Sequence, residues 1–309
     1  MRPDDDLSIL DLPTPLVPAP SLSGAGRHTY LKNETVLPTG TFKVRGALHS
    51  LKANLATRAI GEVVAASTGN HGAAVAWAAR STGARATIFV PQHPNPVKAA
   101  RIRALGAQLV ETGADLSAAT DAAYEYTART GAFFLHDAAD PDVPAGTAQI
   151  GAEIVAQQPA VSRIYVPMGD TALIRGVASA AKHAKPSVTI VGVVAANAPA
   201  YQLSWQQDHV IETETADTIA DGLAVRRPLP PNVQAIRRLV DEVHAVTEAE
   251  MLAAIGHLQR HEGIIAEPAG AAAAAAYLKD PSASPVNVLL VTGANIAPDV
   301  AARAGIRTS

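Results

Sequence analysis

The chain has 309 residues, 48% hydrophobic and 17% charged, which is enough apolar material for a sizeable core and excludes a disordered polymer. Its net charge of −3 arises from 25 basic and 28 acidic side chains with no basic block, which argues against nucleic acid or an anionic membrane as a partner. The absence of cysteine excludes disulfides, thiolate metal sites and a cysteine nucleophile, and the residues from Met1 to Leu10 lack the pattern of a signal peptide. The longest apolar run, residues 269–278, is too short to span a bilayer, so a cytoplasmic globular enzyme is expected.

In chain order, residues 12–20 are proline-rich and read as an extended surface connection. From about Gly61, short β-branched runs alternate with alanine-rich helical stretches. Strands are expected at Glu62–Ala66, 86–90, 107–111, Arg163–Pro167, 188–194 and Val286–Val291, and helices at 73–80, 96–105, 174–183, 247–261 and 269–278. Residues 226–231 read as a second extended surface connection. Such alternation implies parallel sheets covered on both faces. No long linker cuts the chain, so a second domain is expected to be inserted rather than appended.

Ligands of parallel sheets bind beyond the carboxyl ends of strands, where helix N-termini offer unpaired N–H groups. Ser67, Thr68, Gly69, Asn70, His71 and Gly72 follow the EVVAA strand and suit a carboxylate or phosphate, although Ser and Thr also cap helices for structural reasons alone. Gly169, Asp170, Thr171, Ala172 and Leu173 follow RIYVPM, a phosphate-cradle position whose single glycine and acidic Asp170 suit an ordinary capped helix equally. Thr292 closes VNVLLV, where its hydroxyl has either a ring nitrogen or local backbone to bond. Lys43 follows Phe42 and a small-residue turn, then enters an apolar helical stretch. Partial burial lowers the proton affinity of a lysine, as imine formation requires, whereas a lysine without such context is a solvated charge. The ten histidines have no metal-ligand spacing, and no metal site is expected.

Taken together, LKNETVLPTGTFKVRGA, STGNHG, PVKAARIRALGAQLV, DPDVPAGTAQIGAEI, VPMGDTALIRGVA, TIADGLA, EPAGAAAAA and VTGANI resemble segments of fold-type II pyridoxal-phosphate enzymes, in the same order. Within that superfamily the threonine and serine dehydratase (ammonia-lyase) and serine racemase branch is most similar. The resemblance implies an α/β fold of two three-layer domains with mostly parallel twisted sheets. The larger, cofactor-binding domain would hold residues 1–52 and 139–309, and a small mobile substrate-binding domain, residues 53–138, would be inserted in it.

The resemblance implies pyridoxal 5'-phosphate as cofactor, Lys43 as the Schiff-base lysine and acid/base, and Phe42 beside the cofactor ring. Ser67, Thr68, Gly69, Asn70 and His71 would bind the substrate carboxylate, with Asn70 also near the cofactor. Gly169 to Leu173 would hold the phosphate, and Thr292 would face the pyridine nitrogen. A hydroxyl there does not hold that nitrogen protonated, which suits β-elimination better than transamination. The implied reaction converts a hydroxy-amino acid such as threonine or serine to a 2-oxo acid and ammonia. The alternatives are racemisation, for which Thr68 would exchange a proton on the face of Cα opposite Lys43, β-replacement or threonine-synthase-like chemistry, and a catalytically silent relative. A homodimer is also implied.

Four departures stand out. GDTAL replaces the branch's GGGGL, with Asp170 having to point away from a phosphate. Residues 146–149, GTAQ, replace GQGT, and no carboxylate follows Ala195 and Ala196 where the branch holds a divalent cation. The chain ends soon after VTGANI, so a C-terminal regulatory domain is not expected.

Overall fold

A computed structural model describes residues 10, 12–94 and 96–306. Among these, the strands are β1 (Leu16–Pro18), β2 (His28–Asn33), β3 (Glu62–Ala66), β4 (Arg85–Val90), β5 (Gln108–Glu111), β6 (Phe133–Phe134), β7 (Arg163–Pro167), β8 (Thr189–Ala195), β9 (Glu242–Val246) and β10 (Val286–Val291). The helices are α1 (Lys43–Leu55), α2 (Asn70–Thr82), α3 (Pro96–Ala104), α4 (Leu116–Thr130), α5 (Val143–Gln157), α6 (Ala172–Ala184), α7 (Ala200–Gln207), α8 (Pro230–Leu239), α9 (Glu248–Glu262), α10 (Pro268–Lys279) and α11 (Pro298–Arg303). Contacts divide the chain into two compact units. One takes in Leu37–Thr39 and Lys43–Gly146, the other Pro13–Val36, Gly40–Phe42 and residues 147–306.

The second unit is built on a sheet of order β1-β2-β10-β7-β8-β9, parallel throughout except for the β1–β2 pair. Its central strand β10 reads VNVLLV and is buried at every residue, as a strand covered on both faces must be. Ala271 to Ala276 are each at most 1% exposed, and α10 packs on α9, β10 and β7. A row of methyl groups lets this helix approach where longer side chains would hold it off. Gly270 makes the closest approach, since a Cβ there would meet Gly293 O at 2.4 Å.

Two segments expected as surface connections are more ordered than that. Residues 16–18 form the edge strand β1, which pairs with β2, and the flanking Thr14 and Ala19 are buried. Proline is tolerated there because an edge strand leaves one row of N–H groups unpaired. Pro230 starts α8 at its first turn, where a missing N–H costs nothing.

The first unit carries a wholly parallel sheet of order β5-β4-β3-β6, with Val64 and Phe89 packed against Ala119 and Ala123 of α4. Both sheets have a topological switch point. In the larger one the chain runs outward through β7, β8 and β9, while β10 returns to the other side of β7. In the smaller, β3, β4 and β5 run one way and β6 lies on the opposite side of β3. Loops leaving the carboxyl ends of β7 and β10, and of β3 and β6, therefore turn to opposite sides of their sheet, the position at which open parallel sheets bind ligands.

Candidate active site

In the second unit, the turn after β7 and the turn after β10 occupy the switch point, and glycines draw four segments together there. A Cβ on Gly169 would lie 2.0 Å from Gly222 O in the TIADGLA turn, and one on Gly222 would lie 3.1 Å from Ala269 Cβ at the start of α10. A Cβ on Gly293 would meet Glu267 Oε1 at 2.5 Å. Glu267 N donates to Gly293 O at 2.9 Å, tying the N-terminus of α10 to the end of β10. Residues 40–42 lie antiparallel to this same turn, with Thr41 bridging Gly293, Phe42 N donating to Thr292 O at 3.1 Å and Ala294 N donating to Gly40 O at 3.0 Å. Thr292 itself is buried. The residue before Lys43 is thus fastened to the end of the central strand.

The turn from Gly169 to Thr171 opens α6, whose first regular bond, Arg175 N to Thr171 O, leaves the preceding N–H groups of the helix start available to a ligand. Thr171 has φ 69°, a left-handed conformation uncommon for a β-branched residue and costing about 1–2 kcal/mol. Its side chain is buried, and Oγ1 has no hydrogen-bond partner at full geometry, although the Tyr201 phenol senses it. Burial raises the pKa of that phenol above its ordinary value, against the lowering effect of hydrogen bonds from Asn232 and Leu229 N. Asn232 Nδ2 also donates to Asp170 O at 3.3 Å, which braces the turn from behind.

In the first unit, Ser67 to Gly69 form the turn between β3 and α2, with Ser67 N bonded to Phe89 O and Gly69 N to Ser67 Oγ. Ser67, Thr68, Gly69 and Asn70 are half-buried. Gly72 seals the turn, since a Cβ there would lie 3.0 Å from Ser67 O and 3.1 Å from Ile88 Cγ2. His71 is buried, with Nε2 3.0 Å from Leu135 O, which requires Nε2 to donate. Burial holds its pKa below the ordinary value, only partly offset by Asp137, so the ring is neutral near pH 7.

Lys43 starts α1, and its ammonium donates to Asp137 Oδ2, the two side chains being 17% and 16% exposed. Asp137 Oδ1 lies 3.6 Å from His71 Nδ1. Burial alone would push the Asp137 carboxyl up, but Lys43, then His71, hold it well below the usual carboxylate range. Sequence reasoning missed Asp137. It follows a strand of only two residues, Phe133–Phe134, too short to register as a strand, and its place at the switch point comes entirely from the pairing of β6 with β3.

The match to known proteins is extensive. Residues 7–293 match the family described as pyridoxal-phosphate dependent enzyme. This chain belongs to that family. It is 37% identical to an L-threonine ammonia-lyase of Geobacter sulfurreducens over 88% of this chain and 68% of that protein. The solved threonine deaminase of T.th. superposes with a TM-score of 0.86 at 30% identity, covering 93% of this chain and 94% of the other. Maize serine racemase superposes with a TM-score of 0.89 at 27% identity, covering 95% and 92%. The fold is accordingly fold-type II, and pyridoxal 5'-phosphate is its cofactor.

The residues fit that group. The phosphate is a dianion, and a helix start such as that at Ala172, preceded by the left-handed Thr171 with its buried hydroxyl, presents backbone N–H groups to an anion. The aldehyde needs an amine, and Lys43 is half-buried. Among the described residues no cluster of His, Asp or Glu is arranged to hold a metal ion, and no helix is long and apolar enough to cross a membrane.

Proposed function

We propose that the chain is a pyridoxal-phosphate-dependent lyase that eliminates the β-hydroxyl of a small hydroxy-amino acid, threonine or serine, to give a 2-oxo acid and ammonia. The observation that carries this reading is the similarity to L-threonine ammonia-lyase across 88% of the chain, and the half-buried Lys43 at the start of α1 supports it. Bound pyridoxal phosphate supplies the electron sink that makes the substrate Cα–H acidic.

This chain's own groups do the rest. Lys43 would be the point of covalent attachment and the base at substrate Cα. Ser67, Thr68, Gly69, Asn70 and His71 orient the substrate carboxylate, and the half-buried Ser67 and Thr68 supply hydroxyls in the β3–α2 turn. The N-terminus of α6, with Gly169, Asp170, Thr171, Ala172 and Leu173, holds the phosphate through backbone N–H groups, and the Asn232 bond to Asp170 O supports the turn. Phe42 would flank the ring. Thr292 would offer a hydroxyl to the ring nitrogen, and a hydroxyl there would not hold that nitrogen protonated, which would favour elimination over transamination. The inserted small domain carries the carboxylate-binding turn and acts as the mobile substrate-binding part. The enzyme works on a free amino acid in the cytoplasm as a homodimer.

A second reading is racemisation, favoured by the superposition on maize serine racemase and by Thr68 at the carboxylate turn. The two are separated by incubating the cofactor-loaded protein with L- and D-serine, L- and D-threonine and hydroxyaspartate, and following both keto-acid release and enantiomer ratio. The lyase reading expects keto acid from an L-hydroxy-amino acid, released about 10²- to 10⁴-fold more slowly in Lys43→Ala. Cofactor-coloured protein that releases no keto acid from this panel overturns it, and enantiomer exchange without keto acid transfers the assignment to racemase.

A further inference from the structure

The site as read from its motifs has no use for a carboxylate, yet the structure places one on the reactive lysine. Asp137 comes from the loop after β6 and reaches Lys43 at the start of α1, with His71 of α2 on its other oxygen at 3.6 Å. A further titratable neighbour is His136, whose Nδ1 accepts from Ala138 N at 3.1 Å and Ala139 N at 3.2 Å. With His71 neutral and donating through Nε2 to Leu135 O, the formal charges facing one another are the Lys43 ammonium and the Asp137 carboxylate.

An ion pair of this kind contributes little to stability when both partners are solvated, but these two side chains are 17% and 16% exposed, so screening by water is reduced. The interaction is also reciprocal. Whatever free energy the ammonium contributes to keeping Asp137 ionised, the carboxylate contributes to keeping Lys43 protonated. An amine must be neutral to attack an aldehyde or to accept a proton from carbon, and the ammonium formed by that acceptance is stabilised beside a carboxylate.

We propose that Asp137 is a positioning residue for the reactive lysine, holding the released Lys43 side chain in place and setting the pH at which its amine becomes neutral. This rests on the reading of Lys43 as the cofactor lysine. Asp137 acts through Lys43 and not on the substrate. Lys43 and Asp137 exchange no proton in the resting pair. In the forward step Lys43 takes the proton from substrate Cα, the bonding pair remains on the substrate, and Asp137 stays ionised as the counter-ion of the new ammonium.

The test uses the full-length chain in two forms. In cofactor-free protein, the pH dependence of reductive methylation at Lys43, read by peptide mass spectrometry, reports the fraction of neutral amine without requiring any activity. Asp137→Asn is expected to move the midpoint down by about 1–3 pH units, and Asp137→Glu to restore most of the shift. In the loaded enzyme, the acidic limb of the kcat profile is expected to move the same way in Asp137→Asn. An unchanged methylation midpoint in a folded Asp137→Asn protein overturns the proposal, as does a shifted midpoint with an unchanged kcat profile. If wild type turns over none of the amino-acid panel, the lyase reading fails separately, and the methylation experiment still decides whether Asp137 governs Lys43.

Discussion

Gly169→Ala tests whether the turn after β7 is built by close backbone approach and whether that turn holds the phosphate. The added methyl would sit 2.0 Å from Gly222 O, and the obstacle is a backbone carbonyl, not the end of a flexible side chain. Relief requires one backbone segment to move by roughly 1 Å, and overpacking of this kind costs about 1–3 kcal/mol. For a chain of 309 residues, with about 2.1 cal/mol/K of unfolding entropy per residue, that corresponds to a fall in Tm of about 1.5–4.5 °C. The same displacement pulls the N-terminus of α6 away from its ligand, and one lost hydrogen bond to a charged group is worth about 1.5–3 kcal/mol, or about 10- to 150-fold in Kd. Differential scanning fluorimetry of the cofactor-free protein and absorbance titration with pyridoxal phosphate read the two effects separately. Gly61→Ala is the control, because a Cβ at Gly61 meets nothing within 4 Å. If Gly169→Ala matched Gly61→Ala in both assays, the close approach would be refuted. A lower Tm with unchanged cofactor affinity would leave the packing argument standing and remove the phosphate from this turn.

Three further outcomes are expected. Thr171→Val replaces a buried hydroxyl lacking a full-geometry partner by an isosteric methyl, so the cofactor-free protein should be as stable as wild type or more stable by about 1 kcal/mol, while cofactor Kd rises about tenfold or more; a Tm loss in calorimetry would contradict this. Lys43→Ala should abolish the visible absorbance of covalently bound cofactor and lower kcat by about 10²- to 10⁴-fold in a keto-acid assay. Asp137 has its folded-state pKa depressed below 3.8, so the unfolded chain binds more protons in acid and stability falls as pH drops below about 4. In Asp137→Asn that part of the acid limb should flatten, as measured by denaturant melts between pH 2 and 5 at about half-unit steps.

Much of the fold was legible because its strands are intensely apolar. EVVAA, RIYVP and VNVLLV lie where their composition puts them, since a strand covered on both faces keeps a nearly continuous apolar run. The α10 alanine run was likewise readable as a close-packed helix. Less regular pieces were not. The strand β1 contains a proline and buries few side chains, and β6 is two residues long, so neither carries a periodic signal.

Sequence alone determined which bonding groups the chain offers and their order along it, because Lys43, the STGNHG turn and the VTGANI turn are local signals whose residue types already state what each can bond. Tertiary structure alone decided their company. Only the order of β3 and β6 brings Asp137, 94 residues away in sequence, onto Lys43. Only glycine-to-backbone approach brings Gly169 against Gly222 and Gly270 against Gly293. Both depend on strand pairing at switch points, a long-range choice set by the packing of whole sheets that no local run of residues encodes.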